Sequence, residues 1–418
     1  MDVAEGMDVL HQRCAGMDIS KSDAKVCVRT PGSGNRFTQT ITTYGATSGE
    51  VLRLRRDLEA AQVSLVVMEA TGDYWKPFFF PLAETLNVQL VNAKQAKNIP
   101  GRKTDVSDAA WLAKLAAFGL LRASFVPDEP VRQLRDLTRA RSAIAQEQVR
   151  EFARLEKTLE DTGIKLSLSA SSLTTQSSRK ILDALVAGDR DPAALAELAT
   201  RKMREDMPAL LDALSGRFTE HHAFMVKLRL DRIDELDRSI GLLDARIDEV
   251  IEPFRDAREL LTTIPGISLT VAAVIIAETG GSMEAFPTPG HLASWAGVCP
   301  GQNESAGRVK STRTRPGNRH LKGALGIAAM SASRSKRTYL AVKYRRIQAR
   351  NGRRSLQALV AIEHTILVAA WNMLTTGEAW HELGVDYYDH RNPDQLKRRA
   401  LRSLRGLGYD VELTPAAA

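Results

Sequence analysis

Short apolar stretches alternate with amphipathic ones between residues 15 and 125, and this pattern predicts an α/β domain. Four stretches have the length and composition of strands: AGMDISKSDAKVCVRT, NRFTQTITTY, VSLVVMEA and NVQLVNA. The first two predict an antiparallel hairpin. Three other stretches have the apolar spacing of helices: SGEVLRLRRDLEAA, YWKPFFFPLAETL and DVSDAAWLAKLAAFGLL. The resulting order is β-β-α-β-α-β-α, with room for one more strand, and is typical of an α/β fold.

Strand signals disappear between residues 130 and 255, where the pattern predicts long helices. Apolar residues at alternating spacings of three and four predict a coiled-coil seam at Val226, Ile233, Leu236, Ile240, Leu243, Ile247 and Val250. The charged stretch VRQLRDLTRARSAIAQEQVREFARLEKTLEDTG predicts an antiparallel partner helix. A Ser/Thr-rich segment, 167–178, lies between the two and predicts a linker. Ordinary helix packing within a bundle fits the same spacing, so both interpretations stay open.

A third region, residues 256–375, is predicted to be mainly α-helical. It opens at LLTTIPGISLTVAAVIIAETG, where a Pro-Gly turn joins two apolar helical patterns. Such a turn fits a helix-hairpin-helix whose amides meet a phosphate, or equally a tight turn in a core. The tail, residues 376–418, carries no chemistry that the sequence assigns.

The charge of the chain is concentrated in this third region. The net charge is +8 at pH 7, but residues 301–360 alone contain 15 lysines and arginines and a single acid, Glu304. A block of this size predicts binding to a phosphate backbone, because each neutralised phosphate releases counterions. Six cations near its start are predicted to hold DNA: Arg308, Lys310, Arg313, Arg315, Arg319 and Lys322.

Membrane and disulfide-rich classes are not favoured by the sequence. Long uncharged apolar runs and an apolar signal-peptide core are missing from the sequence, so we expect a cytoplasmic protein that does not span a membrane. The three cysteines, Cys14, Cys27 and Cys299, are widely spaced and predict neither a disulfide framework nor a zinc site.

Four carboxylates of the first region occupy positions that could together bind a metal ion. Asp18 interrupts an apolar strand, Glu69 ends a buried one, and Asp105 and Asp108 stand three residues apart at the start of a predicted helix. Clustered carboxylates repel one another unless a cation neutralises them, and hard oxygen ligands favour Mg²⁺ or Mn²⁺. Each acid also has an ordinary structural interpretation, such as Asp105 in a first helical turn capped by Thr104. The order of the four acids along the chain is that of ribonuclease-H-like nucleases.

Ser305 lies in the stretch GQNESAGRVKSTRTRPGNRHLKG, among the basic residues. A serine hydroxyl is a weak nucleophile unless a base or a metal activates it, and this stretch offers no obvious base. Glu304 is its neighbour in sequence, and His320 falls on the next predicted helix. Ser305 can therefore be a nucleophile, or a loop serine that binds a phosphate.

Several motifs, taken in order and spacing, resemble those of the DEDD transposases of the IS110 insertion-sequence family. They are GMDISK, VVMEATGDYW, NAKQAKNIPGRKTDVSDAAWLA, LTTIPGI, WAGVCPGQNESAGR and RPGNRHLKGAL, and the resemblance spans about residues 15–375. It implies a RuvC-like, ribonuclease-H-fold domain at 15–125, a coiled-coil middle at 130–255 and a C-terminal transposase domain at 256–375. The acidic set of the family falls on Asp18, Glu69, Asp105 and Asp108, and its serine on Ser305.

The resemblance also implies an activity and partners. Members of the family look like RNA-guided recombinases, in which a structured non-coding bridge RNA pairs with target and donor DNA. It implies attack of Ser305 on DNA to give a phosphoserine, strand exchange, and rejoining by a free hydroxyl, with metal held by the four acids. The two halves of such a site look to come from different protomers, so we expect a homo-oligomer, dimer to tetramer.

Two other functions remain open from the sequence. A metal-dependent Holliday-junction-type nuclease would use water as its nucleophile and Ser305 only to bind phosphate. A non-catalytic nucleic-acid scaffold would use the basic block and the coiled coil without chemistry. A tyrosine recombinase is not favoured, because Tyr339 lacks a convincing upstream Arg/His set.

Overall fold

The computed structural model describes residues 8–32, 36–70, 72–92, 99, 107–169, 172–200, 202–301, 303–311, 313–350, 352 and 355–412. The chain forms two compact units, Met1–Val126 and Pro127–Ala418. The predicted regions 130–255 and 256–375 thus belong to one unit.

Unit 1 contains a five-stranded mixed sheet with helices on both faces. Its strands are β1 (Cys14–Ile19), β2 (Asp23–Pro31), β3 (Phe37–Gly45), β4 (Leu65–Glu69) and β5 (Val88–Val91), in the order β3-β2-β1-β4-β5. Its described helices are α1 (Ser48–Ala60), α2 (Lys76–Ala83) and α3 (Asp108–Ala117). The β1–β2 and β2–β3 pairs are antiparallel, whereas β1–β4 and β4–β5 are parallel. The mixed sheet and its helices confirm the predicted α/β class of this region.

The first predicted strand is in fact two strands. The chain reverses between β1 and β2, where the amide of Ser20 donates to the carbonyl of Asp23 and the Ser20 hydroxyl donates to the Asp23 carboxylate, each at 2.8 Å. The additional strand for which the pattern left room is therefore β2, and its turn contains no glycine or proline to mark it.

The two faces of the sheet belong to different cores because side chains alternate along a strand. Ala15, Met17 and Met68 pack with residues of α1 and α2 on one face. Cys14 and Val67 pack with α3 on the other face. The face of any residue in β1 or β4 therefore follows from whether it is an odd or an even number of positions away from one of these residues.

Unit 2 begins with two long helices, α4 (Glu129–Thr162) and α9 (Glu220–Val250), which run antiparallel. Two ion pairs between the helices show this direction. Arg141 near the start of α4 contacts Asp244 near the end of α9, and Glu151 later in α4 contacts Arg229 near the start of α9 at 3.2 Å. The structure thus pairs the two helices that the sequence paired. At the predicted seam, Val226, Ile233, Leu236 and Ile247 are buried, whereas Ile240, Leu243 and Val250 are half-buried. A coiled-coil geometry stays a prediction.

A small helical insertion connects these two helices. It contains α5 (Leu166–Ser169), α6 (Gln176–Ala187), α7 (Pro192–Glu197) and α8 (Met207–Leu214), with a core of its own that includes Leu155, Ile181 and Leu210. The segment 167–178, predicted to be a linker, overlaps α5 and the start of α6. The Thr175 side chain caps α6, and the buried Ser178 hydroxyl donates to the carbonyl of Ser172 at 2.9 Å. Thr175 thus caps a helix and the Ser178 hydroxyl holds the turn before it, and composition does not distinguish these roles from those of linker residues.

The rest of unit 2 is a second helical core. Its helices are α10 (Arg255–Thr262), α11 (Leu269–Thr279), α12 (Pro289–Ala296), α13 (Arg319–Arg334), α14 (Tyr339–Arg350), α15 (Ser355–Thr376), α16 (Tyr387–Arg391) and α17 (Pro393–Gly406). A two-stranded hairpin, β6 (Asn303–Ser305) and β7 (Arg308–Ser311), lies between α12 and α13.

The Pro-Gly turn between α10 and α11 is packed in this core. Gly266 has a φ of +95°, and a Cβ there would lie 2.4 Å from the carbonyl oxygen of Ala328 on α13. The flanking Ile264 and Ile267 are buried. The turn therefore faces protein backbone, which favours the core-turn interpretation over phosphate binding.

In the described part of the chain, α15 is long and apolar enough to cross a membrane by length and composition. It contains the buried Glu363, and its Ile362, Ile366 and Leu367 belong to the core of unit 2. The helix is placed as a core helix of this unit.

Candidate functional site

Asp18 and Glu69 lie side by side at the carboxyl ends of two parallel strands. The register pairs Met17 of β1 with Met68 of β4, so the next residue on each strand is an acid. Matching positions on paired strands share a face of the sheet. Both side chains are half-buried. The predicted neighbours are thus brought together.

Helix α3 begins on the same face and at the same edge. Gly16 is two residues before Asp18 and shares its face, and a Cβ at Gly16 would lie 2.3 Å from the carbonyl oxygen of Ala109. Glycine is required here because the first turn of α3 is pressed against β1. Asp108, which precedes Ala109, is therefore held on the face that carries Asp18 and Glu69.

The helix α3 begins later than it would if Thr104 were its cap and Asp105 its first-turn acid. The cap is Ser107, whose side chain accepts a hydrogen bond from the amide of Ala110 at 3.3 Å, so Asp108 is the first-turn acid. Asp105 and Thr104 lie outside the described residues. Within the described ranges, His, Cys, Asp and Glu side chains form no group of three or more that could hold a metal ion. Asp18, Glu69 and Asp108 lie on one face of the sheet and supply hard oxygen donors, the donor type that Mg²⁺ and Mn²⁺ favour.

Ser305 is the last residue of β6 before a two-residue turn. It pairs across the hairpin with Arg308, and the two turn residues, Ala306 and Gly307, have φ angles of +52° and +73°. Two positive φ values in a two-residue hairpin loop are the signature of a type I′ turn. The turn presents Ser305 and Arg308 together at the exposed end of the hairpin.

A basic groove of about 750 Å³ lies at the base of this hairpin. Arg313, Arg315 and Lys322 line it, together with Gly301, Ser311, Thr314 and Pro316. Arg308 and Lys310 stand exposed on β7, and Arg319 lines a separate cavity between α4, α11 and α13. The six predicted DNA-binding cations are thus divided between a groove, a strand and a helix end.

Lys322 differs from the other cations because its ammonium group is used inside the unit. Its Nζ donates to the carbonyl of Gly297 and to the hydroxyl of Thr314, each at 3.0 Å. Close backbone packing surrounds these contacts, since a Cβ at Gly317 would lie 2.4 Å from the carbonyl carbon of Ala296. Lys322 therefore fixes the chain on both sides of the serine hairpin.

A buried ionic network that the sequence analysis did not identify supports the start of α13. Glu278 is fully buried at the end of α11, and Arg139 of α4 donates to both of its oxygens, at 2.7 and 2.8 Å. Asn318 donates to the same carboxylate at 2.6 Å, while its own Oδ1 caps α13 by accepting from the amides of His320 and Leu321. The signal in the sequence is an acid inside the apolar stretch VAAVIIAETG.

The electrostatics of this network follow from its contacts. Burial opposes the ionisation of Glu278, but the hydrogen bonds from Arg139 and Asn318 and the charges of Arg139 and Arg135 outweigh it, so its pKa lies below the usual value. Burial and the nearby charge of Arg139 lower the pKa of His320, so its imidazole is neutral at pH 7. The network thus holds a carboxylate and a neutral imidazole beside the first turn of α13.

Comparisons with known proteins match both regions. A family model of DEDD transposases of IS110, described as a transposase, matches residues 15–164, and a model described as the transposase IS116/IS110/IS902 family matches residues 258–345. The first range contains all four acids, and the second contains Ser305 and the six cations.

Two relatives agree with these models. The insertion element IS900 uncharacterized 42 kDa protein of Mycobacterium paratuberculosis is 30% identical over 305 residues, which cover 67% of this chain and 73% of the relative. The insertion element IS110 uncharacterized 43.6 kDa protein of Streptomyces coelicolor is 33% identical over 155 residues, covering 36% of this chain and 35% of the relative. The chain belongs to the IS110 family of insertion-element transposases and is a DNA transposase.

Proposed function

We propose that this transposase is an RNA-guided DNA recombinase in which Ser305 forms a covalent bond to a DNA strand. The observation that carries the proposal is the position of Ser305. Its hydroxyl stands at the exposed end of a tight hairpin whose base opens onto a groove lined by Arg313, Arg315 and Lys322. The cations of the groove would bind the DNA backbone next to the hairpin that carries Ser305.

The hairpin favours a nucleophile over a simple phosphate-binding serine. In a type I′ turn both central residues are fixed at positive φ, so the strand ends have little freedom. The cross-strand partner of Ser305 is Arg308, whose guanidinium can contact the same phosphate that the hydroxyl attacks. A fixed hydroxyl beside a fixed cation is an arrangement suited to attack on phosphorus.

Each step of the proposed reaction forms one phosphoester bond and breaks another. The Ser305 hydroxyl loses its proton, its Oγ forms a bond to phosphorus, and the phosphorus–oxygen bond to one sugar breaks, leaving a sugar hydroxyl that takes up a proton. After strand exchange, the hydroxyl of another strand attacks the phosphoserine, and Ser305 regains its proton. Because each step exchanges one phosphoester for another, the cycle requires no energy source.

The acids of unit 1 are proposed to hold the metal for this reaction. Asp18, Glu69 and Asp108 would supply oxygen ligands from one edge of the sheet, with Asp105 as the fourth acid of the set. Bound Mg²⁺ or Mn²⁺ would supply positive charge that favours the ionised hydroxyl and the crowded phosphate. The proposal assigns metal binding to these acids and the nucleophile to Ser305.

Three further features belong to the proposal. A ribonuclease-H-like fold for unit 1 is supported by the strand order and by acids at one edge. Guidance by a bridge RNA and a homo-oligomer, dimer to tetramer, are supported by the family resemblance. Omission of the RNA transcribed from the non-coding end of the element should abolish site-specific joining while non-specific DNA binding remains.

The serine is tested by Ser305→Ala, with Ser331→Ala on the exposed surface of α13 as the matched control. Purified protein is incubated with RNA, Mg²⁺ and labelled donor and target DNA, then denatured and split into samples with and without protease. We expect the parent and Ser331→Ala to give labelled DNA that carries protein until protease is added, and Ser305→Ala to give none.

The alternative functions predict other results. Cleavage by Ser305→Ala without covalent protein would support a water-using nuclease and refute the serine mechanism. Asp108→Asn should abolish cleavage with DNA binding retained, and Asp105→Asn should do the same. Full activity in both aspartate variants would refute the metal-binding role of the acids, whereas no cleavage by any form of the protein would favour a scaffold.

A further inference from the structure

The helix α17 near the C-terminus is largely exposed. Within its residues 393–406, none of the described side chains is buried, and Leu396 and Leu404 are 46% and 39% exposed. An isolated helix of this length is marginally stable in water. A partner that binds one of its faces would therefore stabilise it.

The chain just before α17 is fixed to the core of unit 2. The amide of Tyr339 donates to the carboxylate of Glu382 at 2.6 Å, and the ring of Tyr388 stacks on the ring of Tyr339 with centroids 5.8 Å apart. The guanidinium of Arg346 on α14 lies 4.5 Å from the centre of the Tyr388 ring. The helix α17, here called the arm, therefore follows a segment that is fixed to the core.

The arm has two opposite faces. Arg398, Arg402 and Arg405 follow one another at spacings of four and three residues, which places them on one side of a helix. Leu396 and Leu404 fall on the other side by the same geometry. The arginine side extends over about 10 Å, since each helical residue rises about 1.5 Å.

The arginines of the arm differ from several arginines of the long helix α9, which form ion pairs with acids. Residues 393–406 contain five lysines and arginines and one acid, Asp394. In the described part of the chain, Arg398, Arg402 and Arg405 have no ion-pair partner, and the Arg398 side chain contacts only the Asp394 carbonyl within its own helix. By contrast, Arg232 pairs with Glu235 and Arg246 pairs with Glu249.

We propose that α17 is a DNA-binding arm, whose arginine face contacts the phosphates of duplex DNA outside the groove of the serine hairpin. Its sequence lies beyond both ranges matched by the family models, so the arm adds a contact that those ranges do not contain. An α-helix fits the major groove of B-form DNA, which is about 12 Å wide, whereas the major groove of duplex RNA is too deep and narrow for side chains to read. Arginines contact backbone phosphates in protein–DNA complexes, and this face presents three of them.

The test measures how DNA affinity depends on salt. The full chain carrying Ser305→Ala binds a labelled duplex, so that cleavage does not interfere, and log K is plotted against log salt concentration. Adding Arg398→Gln, Arg402→Gln and Arg405→Gln together should reduce the magnitude of the slope by about 2.7, at roughly 0.9 for each phosphate that is no longer neutralised. Glutamine is a good helix former, so the helix itself is kept.

Two controls isolate the arginine face. The triple variant Arg232→Gln, Arg246→Gln, Arg255→Gln removes three arginines that are paired with neighbouring glutamates, and it should leave the slope unchanged. Leu396→Ala with Leu404→Ala changes the opposite face of α17 and should leave the slope unchanged as well. If either control variant reduced the slope as much as the variant of Arg398, Arg402 and Arg405 does, the proposal would be overturned.

Binding to other ligands tests whether the arginine face is specific for DNA. The same variants are tested against duplex RNA and against vesicles of anionic and zwitterionic phospholipid. An unchanged DNA slope, with weaker binding confined to RNA or to vesicles, would overturn the DNA arm. Because binding is measured without cleavage, failure of the serine mechanism leaves this result intact, and failure of the arm leaves the phosphoserine assay intact.

Discussion

Replacement of Glu278 by glutamine should destabilise the helical core of unit 2 by about 3 kcal/mol. The carboxylate is fully buried and accepts hydrogen bonds from Arg139 and Asn318. An amide keeps one acceptor oxygen but turns an NH₂ group towards a donor, so at least one charge-assisted bond is removed, at about 1.5–3 kcal/mol. It also removes the buried negative charge that Arg135 and Arg139 contact, and breaking a buried ion pair costs about 3–5 kcal/mol. Arg139 reaches solvent, which places the expected value at the lower end.

Hydrogen exchange of the full chain measures this effect locally. A destabilisation of about 3 kcal/mol corresponds to a roughly hundredfold faster exchange of the protected amides of α11 and α13. The matched control is Asp248→Asn, which removes an exposed ion pair with Arg258 and should change stability by at most about 1 kcal/mol. Equal exchange in the two variants would refute the assignment of Glu278 as the central charge of the network.

The same variant has a defined pH dependence. The pKa of Glu278 is lower in the folded protein than in the unfolded chain, so its carboxylate stabilises the fold fully above the unfolded value of about 4.3. That contribution is lost as the pH falls through the lower folded-state pKa. The difference in stability between the parent and Glu278→Gln should therefore be complete at pH 7 and decrease below about pH 4, as measured by urea unfolding in acid.

Three other predictions concern single positions. Gly16→Ala should destabilise unit 1 by about 3 kcal/mol in urea unfolding, because its Cβ would overlap the Ala109 carbonyl, whereas Gly49→Ala, with open space around it, should be neutral or stabilising. Ala306→Asn should increase amide protection in the serine hairpin by about 1 kcal/mol, because asparagine tolerates the positive φ of this turn, and unchanged exchange would contradict a type I′ turn. Burial raises the pKa of Cys14 to about 11, so mass spectrometry should find it unalkylated by iodoacetamide at pH 8 in the folded protein and alkylated after denaturation.

The sequence was sufficient to place Asp18 beside Glu69 because the relevant information is local. An acid that interrupts an apolar strand and another that ends one are visible in a single stretch, and parallel pairing then places Asp18 beside Glu69. The reversal at Ser20–Asp23 was not visible, because polar residues without glycine or proline form it. The cap at Ser107 depends on backbone geometry that the spacing of Asp105 and Asp108 does not reveal.

Contacts between residues that are distant in the chain could not be predicted from the sequence. Glu278 contacts Arg139 and Asn318, which lie 139 and 40 residues away, and the local pattern around each residue gives no indication of the others. A buried acid in an apolar helix signals that a cationic partner exists, but it does not identify that partner. The Ser/Thr-rich segment is a related case, since the capping bond of Thr175 and the hydrogen bond from Ser178 to the Ser172 carbonyl depend on the core that surrounds them.

The cations of the serine region show why a charge count overstates DNA contacts. The sequence treats Lys322 and Arg315 alike, yet the Lys322 ammonium already donates to Gly297 and Thr314, whereas Arg315 is exposed in the same groove. A cation held by internal acceptors keeps the backbone around the hairpin in place and has fewer donors left for phosphate. The proposed recombinase therefore depends on Lys322 for the shape of the groove, and on Arg313 and Arg315 for the neutralisation of the strand that Ser305 attacks.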